Sequence, residues 1–145
     1  MQIDQAGIRA LIPHAGAMCL LDRVESWDAT HIRCVTDSHH RADNPLRQSN
    51  GLRAICGVEY AAQAMAVHGA LSASGRTRPR AGFLVSVRDV RCQAVELDRQ
   101  PGPLTVEAQR LLGDDDHAVY AFALLAQGRE LLSGRATVML DPAAA

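Results

Sequence analysis

The sequence predicts an α+β domain in which one long buried helix is wrapped by a curved antiparallel sheet. Two observations predict it. First, residues Ala54 to Ser72, AICGVEYAAQAMAVHGALS, run nineteen positions without proline and are small or apolar on nearly every face. A helix that is apolar all round belongs inside a fold, and alanine-rich faces let neighbouring backbone approach closely. Second, β-type stretches lie on both sides of it, two before and four after, each bounded by turn residues. With 145 residues the chain forms one domain, 1–145, large enough for a single core.

The elements follow in order. Asp4 to Ile12 reads as a short amphipathic helix with Ile8, Leu11 and Ile12 on one face, stopped by Pro13. Met18 to Val24 is an apolar run that opens a first strand and continues past Glu25 toward Trp27. His31 to Thr36 alternates as a second strand with Ile32, Cys34 and Thr36 on one face, joined to the first through Asp28-Ala29-Thr30. Asp37 to Arg53 is a polar loop of about seventeen residues with turn signals at Asn44-Pro45 and Asn50-Gly51; ordered loops of that length usually carry function. After the helix, RTRPRAG is an arginine-rich linker. Strands are then expected at Phe83–Cys92, Leu104–Leu112, Ala118–Ala126 and Leu131–Leu140, with turns at DRQPGP, GDDD and QGRE. The third of these is apolar on both sides, so one face should meet the helix and the other a partner subunit.

Composition excludes several function classes. Apolar residues make up 48% and charged residues 21%, and no apolar run is long enough to cross a bilayer. The N-terminal MQIDQAGIRALIPH has Asp4 and no cationic start before an apolar core, so no signal peptide and a cytoplasmic location are expected. Cys19, Cys34, Cys56 and Cys92 lack metal-site spacing and are expected to be buried thiols; among the histidines only His39 and His40 adjoin, and no metal or other cofactor is expected. All fifteen cations are arginine, but with few aromatics and no basic run nucleic acid is not an expected partner.

One acid interrupts the buried helix. Burying an unpaired carboxylate is costly, so Glu59 must be paired, stand at a cleft, or carry a raised pKa. The last is what a general acid needs. Gln63, one turn on, is placed to orient it. His68 lies nine residues beyond Glu59, about 13 Å along the axis, too far to share its chemistry.

These residues resemble a family. LIPHAGAMCLLDRV is similar to the L-P-H-R-x-P-F-L-L-V-D-R segment of the 3-hydroxyacyl-ACP dehydratases, GVEYAAQAMA resembles their E-A-M-A-Q helix motif, and VRDVRCQAVELDRQPGPLTVEA matches their strand-turn-strand. DNPLR and GVEYAAQAMAVHGAL resemble the dehydratase-like subunits of aryl-polyene-type pathways. The resemblance implies a hotdog fold and elimination of water from an acyl thioester carried on acyl carrier protein or CoA. It implies Glu59 as catalytic acid, and substrate contacts from the helix start between Ala54 and Gly57, with Gln63 beside them. His14 would fix the chain entry. Arg76, Arg78 and Arg80 either contact the carrier or its phosphate or form a solvated loop.

The family's base, a histidine in G-H-F-P, has no counterpart here: the string is replaced by DNPL, and the residue fourteen before Glu59 is Pro45. Either His39 or His40 moves into the base position, or Asn44 occupies it and a partner subunit supplies the histidine. Family sites are shared between protomers, so a homodimer or a heterodimer with a second hotdog subunit is expected. A non-catalytic partner subunit and an acyl thioesterase are the alternative functions.

Overall fold

The computed structural model describes residues 2–12, 16–72, 82–114 and 116–140. Helix α1, Gln5–Leu11, is capped by Asp4, whose carboxylate accepts the Gly7 N–H. Strands β1 (Arg23–Trp27) and β2 (His31–Thr36) form a hairpin, and helix α2 (Gly57–Ser72) follows the 37–53 loop. Strands β3 (Gly82–Cys92), β4 (Leu104–Gly113), β5 (His117–Ala126) and β6 (Arg129–Leu140) complete one six-stranded sheet, ordered β1-β2-β4-β5-β6-β3. All its pairings are antiparallel. From β2 onward the strand bounds differ from expectation by no more than two residues. The long central helix packed on this sheet is the hotdog fold.

Helix α2 packs against β2, β4 and β5. Tyr60, Ala61, Ala64, Met65 and Val67 join Ile32, Cys34, Val106, Ala108, Phe122 and Leu124 in one core. No residue of α2 is exposed, as its composition demands. Along β5 the alternation resolves the ambiguity of an all-apolar strand: Tyr120, Phe122, Leu124 and Ala126 are buried, whereas Val119, Ala121, Ala123 and Leu125 are half-buried on the other face.

Three expectations need correction. The first strand does not open at Met18: Gly16–Met18 is a turn of 3-10 helix, and β1 begins only at Arg23. The intervening backbone is spent elsewhere, since Leu20 N–H donates to the Gln63 side chain and Leu20 C=O accepts from the Thr36 hydroxyl. The central helix also starts later than Ala54. Ala54–Cys56 is a 3-10 turn, and the α-helix begins at Gly57. Finally, only Cys19 and Cys34 are buried; Cys56 is half-buried, and Cys92 is exposed on the edge strand β3. Burial pushes the Cys34 thiol up to about 12, so it is inert at neutral pH.

The 37–53 loop is ordered by polar contacts. Arg41 pairs with Asp22 at 2.9 Å. Arg47 donates to His39 O, to Arg41 O and to Asp98 Oδ2. Gln48 and Gly51 exchange backbone hydrogen bonds of 3.0 Å, with Gly51 at φ +99°. Glycine is required there because a Cβ would also come within 2.8 Å of the Asp98 carboxylate. Among the described residues no helix is long and apolar enough to cross a membrane.

Candidate active site at the start of the central helix

Glu59 stands half-buried in the first turn of α2, where the helix dipole favours an anion. Of the options open to a carboxylate on this helix, pairing is observed: Gln63 Nε2 donates to Glu59 Oε1 at 3.3 Å. Gln63 is fully buried, and its amide orientation is fixed by backbone groups of opposite sense. Its Oε1 accepts Leu20 N–H at 2.9 Å, and Nε2 donates to Met18 O at 2.7 Å. An amide nitrogen has two hydrogens, so the second is free to reach Glu59. The segment Met18–Leu20 therefore forms a wall beside the acid, fastened through the residue that orients it.

The preceding turn offers backbone donors unevenly. Ala54 N–H donates to Val95 O at 2.9 Å, and Cys56 N–H to Arg53 O at 3.0 Å. Gly57 N–H points back at Ala54 O and Ile55 O. Ala54 and Gly57 thus have their amides committed, whereas Ile55 N–H has no hydrogen-bond partner among the described residues. Ile55 is 55% exposed. Which amides of a helix start are taken depends in part on the β3–β4 connection forty residues away, so sequence reading picks out the turn but not Ile55.

His39 and His40 occupy the 3-10 turn Ser38–His40 at the end of β2. Their rings lie 3.8 Å apart, and their hydrogen bonds run to the 100–102 turn. His39 Nε2 meets Gln100 O at 3.2 Å and Gly102 O at 3.0 Å; His40 Nε2 meets Gln100 O at 2.7 Å. Carbonyls only accept, so each Nε2 carries its proton. His39 is fully buried, and its Nδ1 has no hydrogen-bond partner among the described residues.

Asn44 is buried with its amide occupied by the loop itself. Nδ2 donates to Ser38 O at 2.9 Å and to Tyr60 Oη at 3.0 Å, while Oδ1 accepts Leu46 N–H at 2.9 Å. Tyr60, next to Glu59 in sequence and fully buried, also bonds Ser38 Oγ at 2.8 Å. Burial raises its phenol above the ordinary 10. Nothing in the sequence patterns marks Tyr60, Ser38 or Thr36 as members of one network. His14, Arg76, Arg78 and Arg80 lie outside the described residues. No cluster of three or more potential metal ligands occurs among the described residues.

His68, far along α2, is a buried tether. Its Nε2–H donates to Asp28 O at 2.9 Å and its Nδ1 accepts from Tyr120 Oη at 2.7 Å, tying α2 to the β1–β2 turn and to β5. Burial is the main cause holding both His68 and His39 below the ordinary 6.5, with the cation of His40 adding to the effect on His39. The unfolded chain binds protons near 6.5 that the folded chain refuses, so folding stability is present above that pH and is lost as pH falls below it. Thermal unfolding followed between pH 8 and pH 5 is expected to show the midpoint falling from about 6.5 downward, with a shallower fall in His68→Gln.

The comparisons with known proteins agree with this fold. The dehydratase heterocomplex ApeI:P from Xenorhabdus doucetiae superposes with a TM-score of 0.82 at 24% identity, over 94% of this chain and 93% of that one. The Escherichia coli PaaI protein from the phenylacetic acid degradation operon gives 0.59 at 13% identity, covering 80% of each chain. A mutant of thioesterase PA1618 from Pseudomonas aeruginosa gives 0.57 at 17% identity, covering 81% of this chain and 79% of that one. At such identities these likenesses speak for the fold. No curated protein matches the chain significantly. The model of the ApeP-like family, described as ApeP dehydratase, matches residues 6–145. With a fold shared with the ApeI:P heterocomplex and a match along nearly its whole length, this chain belongs to the ApeP-like dehydratase family.

Proposed function

We propose that the chain is the acid-bearing subunit of a 3-hydroxyacyl thioester dehydratase whose base comes from a second hotdog subunit. The observation that carries this is the Glu59 carboxylate at the head of a buried helix, oriented by a glutamine whose other groups are locked to backbone. A base removes a proton from C2 of the acyl chain, the electron pair forms the C2–C3 double bond, and the C3–O bond breaks. Glu59 delivers its proton to the departing hydroxyl, so water and a 2-enoyl thioester leave. Charge builds on the thioester oxygen as the C2 proton departs, and Ile55 N–H at the helix start is the amide available to stabilise it.

Two observations favour a partner-supplied base. His39 is fully buried, its unprotonated Nδ1 included, and the Nε2 of His40 is committed to Gln100 O. The sheet is also open to a partner: β3 runs eleven residues along its edge and, among the described residues, pairs only with β6. Leu84 and Val85 on it are 41% and 55% exposed. A long edge with exposed apolar residues calls for another strand beside it. A relative known as a heterocomplex supports the unlike pair over the homodimer.

The test is a reconstitution. A 3-hydroxyacyl group on acyl carrier protein is offered to the chain alone, then with a histidine-bearing hotdog subunit. Elimination is expected only in the mixture and should survive His39→Ala and His40→Ala. Full activity of the chain alone, abolished by either histidine variant, would instead place the base in this chain.

A further inference from the structure

The polar network behind Glu59 has one consistent arrangement of hydrogens. Asn44 Nδ2 donates to Tyr60 Oη at 3.0 Å. At the other end Thr36 Oγ1 must donate to Leu20 O, because a carbonyl only accepts. A hydroxyl has one hydrogen, so the 3.0 Å contact between Ser38 and Thr36 is donated by Ser38. Ser38 N–H reaches the same Thr36 oxygen at 3.0 Å, consistent with that oxygen accepting. Ser38's hydrogen being used, Tyr60 supplies the one in its 2.8 Å contact with Ser38. The chain therefore runs one way, from Asn44 through Tyr60, Ser38 and Thr36 to Leu20.

Leu20 is where this chain meets the site. Thr36 holds its carbonyl, and Gln63 Oε1 holds its N–H. It lies in the stretch between the Gly16–Met18 turn and β1, with no strand pairing of its own, so these two side chains fix it. Gln63 in turn presents its remaining hydrogen to Glu59. Thr36, Ser38 and Asn44 are each no more than 6% exposed, and Tyr60, Leu20 and Gln63 are fully buried. Hydrogen bonds aligned head to tail in such surroundings polarise one another.

We propose that Thr36 is a positioning residue for Glu59, acting through Leu20 and Gln63, and that Tyr60 and Asn44 set its hydroxyl from the loop side. The proposal rests on Glu59 being the site's acid for its consequence in catalysis, but the orientation itself is measurable without turnover. Loop and acid are thereby coupled: whatever moves the 38–47 segment moves the carboxylate.

The experiment uses the full chain with 13C in the glutamate δ-carboxyl carbons, the Glu59 resonance being assigned by its loss in Glu59→Gln. Thr36→Val keeps the side-chain shape and removes the hydroxyl; the Glu59 resonance is expected to move, more than those of the other glutamates, and to return in Thr36→Ser. Tyr60→Phe breaks the chain one link earlier and is expected to displace the same resonance by less, which keeps the test alive if Thr36→Val does not fold. A Glu59 resonance unmoved in folded Thr36→Val or, where that variant does not fold, in Tyr60→Phe would overturn the proposal, as would a displacement equally large in Thr36→Ser. With the reconstituted pair, Thr36→Val should lower kcat about tenfold with KM little changed, as expected when a reacting group is displaced while substrate binding keeps its strength. Absence of dehydration even in the wild-type pair would count against the dehydratase reading and leave the positioning to be decided by the resonance.

Discussion

Glu59→Gln is expected to lower the rate of water elimination by about 10²-fold or more, the range a positioned proton donor contributes, while leaving the fold intact. The geometry explains why the two effects separate. Glutamine has the shape of glutamate, and its Oε1 can accept the Gln63 Nε2–H that now reaches Glu59 at 3.3 Å. What the variant lacks is the proton to deliver. Glu59 is half-buried, and the neutral glutamine needs no desolvated charge to be held there. Steady-state rates of the reconstituted pair, with the melting temperature as control, read the two effects apart. Glu59→Asp, one methylene shorter, should retain the proton but misplace it and fall between wild type and Glu59→Gln.

Gln63→Leu should have the opposite profile, with a large loss of stability beside the loss of rate. Leucine fills much of the same volume but strands Leu20 N–H and Met18 O, both of which now bond Gln63. An unmade hydrogen bond at a buried group costs about 1–3 kcal/mol, so the pair should cost about 3 kcal/mol in all. For a domain of this size that lowers the melting temperature by roughly 10 °C. Urea unfolding measures it. A loss near zero would show that the Met18–Leu20 wall does not depend on Gln63. Gln63→Glu makes the complementary point: it can still accept from Leu20, but it cannot donate to Met18 and sets a second carboxylate beside Glu59.

The elements were legible where they are local. The alanine-rich apolar run announces a buried helix, found over sixteen of its nineteen residues, and the strands around it announce themselves by alternation and by Gly, Pro and Asp at their ends. Glu59 and Gln63 stood out because a helix with no exposed face has no cheap place for polar groups. The stretch from Cys19 to Asp22 was not legible. It reads as strand, yet Leu20 gives both its backbone groups to side chains 16 and 43 residues away. Nor was the direction of His39 and His40, because the carbonyls they bond belong to a turn some sixty residues on. The same holds for Ile55, which stands apart from Ala54 because Val95, forty residues on, takes the Ala54 amide. Patterns of 2 and 3.6 report what a residue's own element needs, while hydrogen bonds across the fold decide which polar group is left for chemistry.

The central claim is that this site eliminates water from a carrier-bound 3-hydroxyacyl thioester, with Glu59 as the acid. The most direct measurement is the mass of the carrier-bound acyl chain after incubation with the wild-type pair and with the pair carrying Glu59→Gln. The expected result is loss of one water with the thioester intact in the wild type, and the unchanged substrate mass in the variant. Release of the free carrier thiol would contradict it and mark a thioesterase; water loss that persists undiminished in Glu59→Gln would contradict it equally, leaving this chain a structural partner to a site held elsewhere.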